Sequence, residues 1–600
     1  MTHRIAALDK DSCLSKKCNI ECIKFCPVNK DGSECIVLDG DGKALISEPL
    51  CTGCGICVKK CPFDAITILN LAEELGAEKV HQYGVNTFRL YHLPTPRVGD
   101  VVGLVGRNGV GKTSTLNIIS GTLKPNLGQY EHEPDWDDIL DFFSGTELKS
   151  HFKKIANGNL RVSIKPQAVY KVRDVWNGSG IDLLKKVDER SISSQLIDEL
   201  NLSESISRKV SDLSGGELQR LAVAVTAAKD ADMYLFDEPS SYNDVYQRLA
   251  VSKVIQGLAD SGKSVFLVEH DMTFLDYLSD SIQIIYGDAG VYGVVSSVLP
   301  SRTGINVLLD GYLPGENIRF RDAKVSFDVY APLDIENVSP PLVRYSKLIK
   351  KFPGFTLKVN SGELPSGQVV GVIGANALGK TTFMKLLAGL EKPEKGDLET
   401  VKVSYKPQYL TGKFDGDVRS LLYSIAGDKM NDPLLESDVI NPLGIHRLYE
   451  KTVTNLSGGE LQKVAIAMTL IQDVDVYALD EPSAFIDIED RIVLAKAIQK
   501  FVKSRGKSAL VIDHDIQLID IVSDSLIIFT GNAAVGGIAS SPIPKVEGMN
   551  KFLKDLQITY RRDVESGRPR VNKMDSRLDR EQKSSGMYYY LAKNYQEANM

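Results

Sequence analysis

The chain has 600 residues, 43% of them hydrophobic and 25% charged, with a formal net charge of −7. That length exceeds what one hydrophobic core holds and predicts roughly four domains. No uninterrupted apolar run approaches the ~20 residues of a membrane span, and a mildly acidic chain carries no global electrostatic footprint for nucleic acid.

All nine cysteines precede residue 62. The run Cys51-x2-Cys54-x2-Cys57-x3-Cys61-Pro62 has the spacing by which bacterial-type ferredoxins hold [4Fe–4S] clusters. A looser run of Cys13, Cys18, Cys22 and Cys26 comes before it, with Pro27 after the last. Thiolates are soft donors that suit iron, and close spacing chelates with little loop entropy. In two-cluster ferredoxins the last cysteine of each run crosses to the other cluster. The expected ligand sets are therefore Cys51, Cys54, Cys57 and Cys26 for one cluster, and Cys13, Cys18, Cys22 and Cys61 for the other. Cys35 falls outside both runs and reads as a buried, non-ligating thiol. Zinc favours paired C-x2-C knuckles. Disulfides need an oxidising compartment, and Met-Thr-His-Arg opens the chain without an apolar stretch of signal length.

After the cysteines the chain repeats itself. The apolar run Val101 to Val105 predicts a buried strand, followed by Gly106-Arg107-Asn108-Gly109-Val110-Gly111-Lys112-Thr113. The second copy runs from Val369 to Ile373 and into Gly374-Ala375-Asn376-Ala377-Leu378-Gly379-Lys380-Thr381. Each copy continues through Lys-Pro-Gln (Gln167; Gln408), Leu-Ser-Gly-Gly-Glu (Leu213 to Glu217; Leu456 to Glu460), Asp-Glu-Pro (Asp237, Glu238; Asp480, Glu481) and His-Asp (His270; His514). Lys112 to Gln167 spans 55 positions against 28 from Lys380 to Gln408, so the first copy carries an insertion at about 131–157. There Trp136, Ile139, Leu140 and Phe143, then Leu148, Phe152 and Ile155, fall at helical spacing around a Ser144-Gly145-Thr146 break. This predicts a helix–loop–helix hairpin, with extra packing as its plain role and docking to a partner as its functional one. Residues 561–583 carry eight basic and five acidic side chains, a solvated surface or a basic contact.

The glycine loop aims backbone N–H groups at phosphates at a helix N-terminus. Lys112 and Lys380 are expected on the β/γ-phosphates and Thr113 and Thr381 on Mg²⁺. Asp237 and Asp480 are expected to hold the metal, and Glu238 and Glu481 to orient or deprotonate the attacking water. Gln167 and Gln408 would sense metal and water, and His270 and His514 would contact the γ-phosphate.

The Leu-Ser-Gly-Gly-Glu motif resembles the signature of ATP-binding-cassette proteins. That resemblance implies two α/β P-loop cassettes in tandem. It also implies that Ser457, Gly458 and Gly459 meet ATP held by the first loop, while Ser214, Gly215 and Gly216 meet ATP held by the second. Ser114, Thr382, Asn108 and Asn376 join the ATP contacts by the same resemblance. A small α+β ferredoxin-like domain ahead of two fused cassettes resembles class E of these proteins, the RNase L inhibitor family of ribosome-recycling ATPases. The supporting stretches include Phe236-Asp-Glu-Pro-Ser-Ser-Tyr242, Glu316-Asn-Ile-Arg-Phe-Arg321, and Tyr560-Arg-Arg-Asp563 with Arg568-Pro-Arg570. The implied domains are 1–76 (clusters), 77–300 (first cassette), 301–340 (first hinge), 341–545 (second cassette) and 546–600 (second hinge and tail). Tyr83 and Phe88 match positions that stack on adenine.

The family implies ribosome splitting after termination or rescue, retention on the small subunit towards initiation, and a part in ribosome biogenesis. Its implied partners are ribosomal RNA and proteins, a release or rescue factor, and initiation factors. The implied protein is a monomer without membrane contact, cytoplasmic with a nuclear pool, holding two structural [4Fe–4S] clusters and two Mg-ATP. Hinge and tail arginines are expected on RNA phosphates. Three positions depart from the pattern. Ala377 stands where the first copy has Gly109, Asn243 replaces leucine, and Ser144 replaces a basic hairpin tip. Rival readings are an ATP-driven electron-delivery protein, the ATPase of a membrane transporter, and a chromosome ATPase. The last is disfavoured because Lys112 to Ser214 is only 102 positions.

Overall fold

A computed structural model describes residues 2–10, 13–47, 50–63, 65–72, 78–321, 324–325, 327, 341–408, 414–563 and 566–589. The first hinge and the tail expected from sequence therefore lie partly outside the described residues. The chain forms two compact units. Unit one is Met1–Pro239, Val251–Glu269 and Leu278–Ala323; unit two is Ser240–Ala250, His270–Tyr277 and Lys324–Met600. Two segments that the repeat assigns to the first cassette, 240–250 and 270–277, thus pack with unit two.

Unit one begins with the cysteine head. Strands β1 (Thr2–Leu8) and β4 (Ile66–Ala72) pair antiparallel, as do β2 (Ile36–Leu38) and β3 (Ala44–Ile46). Three short helices, α1 (Glu21–Lys24), α2 (Pro27–Lys30) and α3 (Ile56–Lys60), carry cysteines at or beside their ends. Ala6, Leu8, Ile36, Ile46 and Ile66 form the small core beneath them. The Ile46 N–H donates to Asn86 Oδ1 at 2.5 Å and ties the head to the cassette of the same unit.

That cassette is built on β5 (Lys79–Gln82), β6 (Arg89–Tyr91), β7 (Val101–Val105), β8 (Val162–Lys165), β9 (Met233–Asp237), β10 (Ser264–Val268), β11 (Ser281–Tyr286) and β12 (Tyr292–Val295). With a short antiparallel strand, Leu299–Pro300, they make a nine-stranded sheet in the order β5-β6-β12-β11-β7-β10-β9-β8. β11, β7, β10, β9 and β8 run parallel. All five residues of β7, β9 and β10 are buried, as expected of strands covered on both faces. Helix α4 (Lys112–Ile119) follows the first glycine loop.

The insertion folds as α5 (Trp136–Phe142) and α6 (Glu147–Ala156). Ile139, Phe143, Leu148 and Phe152 are buried in the cassette core, and Phe143 stacks on Phe152 at 4.8 Å. His151 Nε2 lies 2.8 Å from the Ile119 carbonyl oxygen, which places its proton on that nitrogen. The hairpin's apolar side is therefore extra packing, and its outer side is exposed. At its tip Lys149 Nζ donates to Ser144 Oγ at 3.3 Å, so a cation stands beside Ser144 despite the departure at that position.

Unit two repeats the plan with β13 (Leu348–Phe352), β14 (Phe355–Val359), β15 (Gln368–Ile373), β16 (Val403–Lys406), β17 (Val476–Asp480), β18 (Ser508–Ile512), β19 (Ser525–Asn532) and β20 (Gly536–Ala539). The sheet order is β13-β14-β20-β19-β15-β18-β17-β16, with Ile543–Pro544 added to β19. The second hinge corrects one expectation. Arg568 is fully buried and reaches Asp276 at 3.2 Å, Arg570 pairs with the same carboxylate at 2.7 Å, and Arg562 pairs with Asp520 at 2.7 Å. Desolvating a guanidinium is costly, so each has found an internal carboxylate instead of facing RNA. Among the described residues of 561–583 the exposed cations are Lys573, Arg577 and Arg580.

Candidate functional site

The head brings the cysteines into two groups. Cys13, Cys18, Cys22 and Cys61 line one cavity together with Leu8, Ala44 and Phe63. Burial, then the neighbouring Cys61, Cys13 and Cys18 sulfurs, push the Cys22 thiol up to about 11. Burial, with Cys51 and Cys54, pushes Cys57 up to about 12. Cys35 is 1% exposed and contacts the sulfurs of both Cys26 and Cys51, so Cys26 stands at the Cys51 group. Backbone donors face the sulfurs: the Ile20 N–H reaches Cys18 Sγ and the Gly53 N–H reaches Cys51 Sγ, each at 3.4 Å. Crowded, buried thiols resist ionisation in each other's company, and iron reverses that by taking thiolates and releasing protons. Sulfur groups in an apolar pocket with N–H···S donors fit an iron–sulfur centre.

In each cassette the glycine loop ends in a left-handed glycine that opens a helix. Gly111 has φ +96° before α4, and Gly379 has φ +93° before α8 (Lys380–Leu387). A β-carbon on Gly111 would stand 2.4 Å from the Phe88 ring. Phe88 thus packs under the loop, with core contacts, as Phe355 does under Gly379. Tyr83 is 52% exposed, and its hydroxyl is 2.9 Å from Ser114 Oγ at the start of α4.

Lys112 Nζ donates to the Gly106 and Arg107 carbonyls at 2.8 and 2.9 Å and to Asn108 Oδ1 at 3.3 Å. Lys380 Nζ donates to the Gly374 and Ala375 carbonyls at 2.7 Å each, and burial pulls it down to about 8. The Asn376 N–H donates to Asp244 at 2.7 Å. Thr113 Oγ1 donates to Asp237 at 3.2 Å, and Thr381 Oγ1 to Asp480 at 2.7 Å. Burial raises both aspartic acids. A hydroxyl against a desolvated carboxylate is the donor set Mg²⁺ takes with a phosphate. Thr382 follows Thr381 in the first turn of α8.

The glutamates one residue further sit on a turn with φ +49° in both copies. Gln167 Nε2 donates to Glu238 Oε1, and Gln408 Nε2 to Glu481 Oε1, each at 2.7 Å. Burial works to raise Glu481, but His514, Gln408 and Lys380 together bring it down to about 2. His514 Nε2 is 3.3 Å from Glu481 Oε1. His270 belongs to unit two, where its Nδ1 lies 3.6 Å from Asp487.

The signature serines cap helices α7 (Gly215–Ala228) and α9 (Gly458–Leu470). The Ser214 N–H donates to Glu217 at 2.8 Å, and the Glu217 N–H returns to Ser214 Oγ; Ser457 and Glu460 do the same. This reciprocal box explains the Ser-x-x-Glu spacing, and the glycine pairs 215–216 and 458–459 form the first turns. Ser214 lies in unit one with Lys112; Ser457 lies in unit two with Lys380.

Sequence reasoning passed over Lys165 and Lys406. Burial pulls each down to about 8, against the pull of nearby carboxylates. Their recurrence two residues before each glutamine is the signal that would have found them. Gln462 was also missed, and its Nε2 donates to the Glu481 carbonyl at 2.6 Å.

The ABC transporter family model matches residues 95–241 and 357–484. A possible Fer4-like domain of RNase L inhibitor matches residues 3–34, and a 4Fe-4S binding domain matches 44–67. ABC transporter E family member 1 of Arabidopsis thaliana is 45% identical over 98% of this chain and 99% of its own. Translation initiation factor RLI1 of Saccharomyces cerevisiae is 44% identical over 98% of both. Among solved structures, the ABCE1 chain in a model of ribosome-bound archaeal Pelota and ABCE1 superposes with a TM-score of 0.93, at 47% identity over 98% of this chain and 100% of that one. The complex of archaeal ribosomal stalk protein aP1 with the recycling factor aABCE1 superposes at 0.82, at 45% identity over 86% of this chain and 100% of that one. The iron–sulfur head, two ATP-hydrolysing cassettes and near full-length likeness converge: the chain belongs to the E family of ATP-binding-cassette proteins, the RNase L inhibitor family.

Proposed function

We propose that this protein is an ATP-driven ribosome recycling factor that separates the subunits after termination or rescue. The observation that carries the reading is the union of a cysteine head with two phosphate-loop cassettes in one chain. The likeness covers 98% of this chain for a relative seen on the ribosome with Pelota and 86% for another described as a recycling factor. Glu238 and Glu481 orient the attacking water, each already held by its glutamine. Thr113 with Asp237, and Thr381 with Asp480, hold Mg²⁺, which when bound neutralises phosphate charge. Lys112 and Lys380 leave the loop carbonyls for phosphate oxygens. Ser214, Gly215 and Gly216 complete the second site and Ser457, Gly458 and Gly459 the first, so ATP favours a closed state by its differential affinity. Tyr83 faces the adenine side of the first loop, with Phe88 beneath that loop.

The two cysteine sets hold [4Fe–4S] clusters that stiffen the head against the ribosome. The partners are the small subunit, a release or rescue factor and initiation factors, in the cytoplasm and with a nuclear biogenesis role; the protein acts as a monomer. The test is sedimentation of ribosomes with the Glu238→Gln, Glu481→Gln double variant, ATP and a release factor. The variant is expected to stay on ribosomal particles; its remaining at the top of the gradient under every nucleotide would refute the reading.

A further inference from the structure

We infer that Lys165 and Lys406 are positioning residues for hydrolysis: each ammonium clamps the main-chain turn that carries the carboxylate facing the attacking water. Lys165 ends β8 and Lys406 ends β16, and the two side chains are 0% and 1% exposed. Lys165 Nζ donates to the Asp237 carbonyl at 2.6 Å and the Glu238 carbonyl at 3.0 Å. Lys406 Nζ donates to the Asp480 carbonyl at 2.7 Å and the Glu481 carbonyl at 3.1 Å. The pattern is the same in both copies.

The clamped turn is the one that needs holding. Glu238 and Glu481 are left-handed at φ +49°, a conformation that non-glycine residues keep only where surrounding contacts enforce it. Release of the turn to extended backbone swings the carboxylate away from its place. The glutamine two residues after each lysine holds the same glutamate by its side chain at 2.7 Å. One strand end therefore fixes both the main chain and the carboxylate of a single residue. In unit two Gln462, from the signature helix, adds a second donor to the Glu481 carbonyl. A buried ammonium whose hydrogen bonds go to main-chain carbonyls is an expensive way to fill a core. An apolar side chain of similar length would fill it without desolvating a charge, so the donor itself is the reason for the lysine.

The inference rests on the proposed role of Glu238 and Glu481. Its test uses the full chain with Lys165→Met and Lys406→Met, singly and together. The readouts are steady-state ATP hydrolysis, equilibrium binding of a fluorescent ATP analogue, and thermal melting. For the double variant kcat is expected to fall at least tenfold while KM and analogue affinity stay within twofold. The Lys165→Gln, Lys406→Gln pair, which keeps an N–H donor, is expected to lose less. A double methionine variant with kcat within twofold of the unsubstituted chain overturns the inference, as does a parallel loss of kcat and affinity. Should the methionine variants fail to fold, the Lys165→Leu, Lys406→Leu pair, which also lacks the donor, decides by the same split. Unimpaired hydrolysis by Glu238→Gln, Glu481→Gln would remove the carboxylate role, and the inference with it; impaired hydrolysis there with normal lysine variants defeats the inference alone.

Discussion

Ala377 shows how a single side chain sets local strain. It occupies φ +59° where Gly109 of the first loop has φ +80°. The Ala534 N–H donates to the Ala377 carbonyl at 3.1 Å, as the Gly290 N–H does to Gly109 at 3.0 Å, so the second loop keeps the turn despite its β-carbon. A left-handed alanine costs about 1 kcal/mol. Ala377→Gly is therefore expected to stabilise unit two by about that amount, less the entropy glycine adds to the unfolded chain. A denaturant midpoint that falls would contradict the strain, because glycine's unfolded-chain entropy of about 0.4–1 kcal/mol would then act without an offset. Asn243, a second departure, is fully buried, where the second copy has the buried Ile486. Its carbonyl accepts from Arg248 Nε at 2.9 Å, as the Ile486 carbonyl accepts from Arg491 Nε at 2.8 Å. The loop is held the same way in both copies through the backbone, whatever the side chain.

At the scale of elements, the signature motif is first a helix start. Ser214 with Glu217 and Ser457 with Glu460 satisfy orphan N–H groups of α7 and α9. Removing such a cap costs about 1 kcal/mol of stability. Ser214→Ala with Ser457→Ala is expected to lower the melting temperature by only a few degrees while cutting ATP hydrolysis more than tenfold, because the proposed function assigns the same residues to ATP. A hydrolysis loss no larger than the fraction unfolded would leave the serines as caps alone. The inserted hairpin follows the opposite logic. Its helical spacing was plain from Ile139, Phe143, Leu148 and Phe152, and all four point inward. Periodicity finds the buried stripe of a helix and says little about what the exposed face meets.

At the scale of the molecule, unit two is held by ion pairs that take their carboxylates from distant sequence. Asp276 serves Arg568 and Arg570 together, with Asp276 and Arg568 fully buried. Asp276→Ala leaves two guanidinium groups without that partner and is expected to destabilise unit two by about 3–5 kcal/mol. Urea unfolding of the full chain measures this, and a loss under about 1 kcal/mol would mean that the pairs are not desolvated. The head makes a separate prediction. Cys54→Ser is expected to lose iron and the broad visible absorbance of the clusters while the cassettes still bind ATP. Ribosome splitting by the iron-free variant would count against a stiffened head.

The amino-acid order alone determined the tandem plan, both phosphate loops, the carboxylate pairs and the cysteine spacing. Each of these is a local pattern whose chemistry demands fixed residue types at fixed intervals, and the repeat states the phosphate loop and the carboxylate pair twice. Tertiary structure decided what depends on partners far along the chain. It spent Arg562, Arg568 and Arg570 on Asp520 and Asp276, where a basic run in sequence suggested an outward face. It placed segments 240–250 and 270–277 in unit two. It also buried Lys165 and Lys406 against the glutamate turns. A charge's environment is set by what the fold removes from water around it, and no local spacing records that.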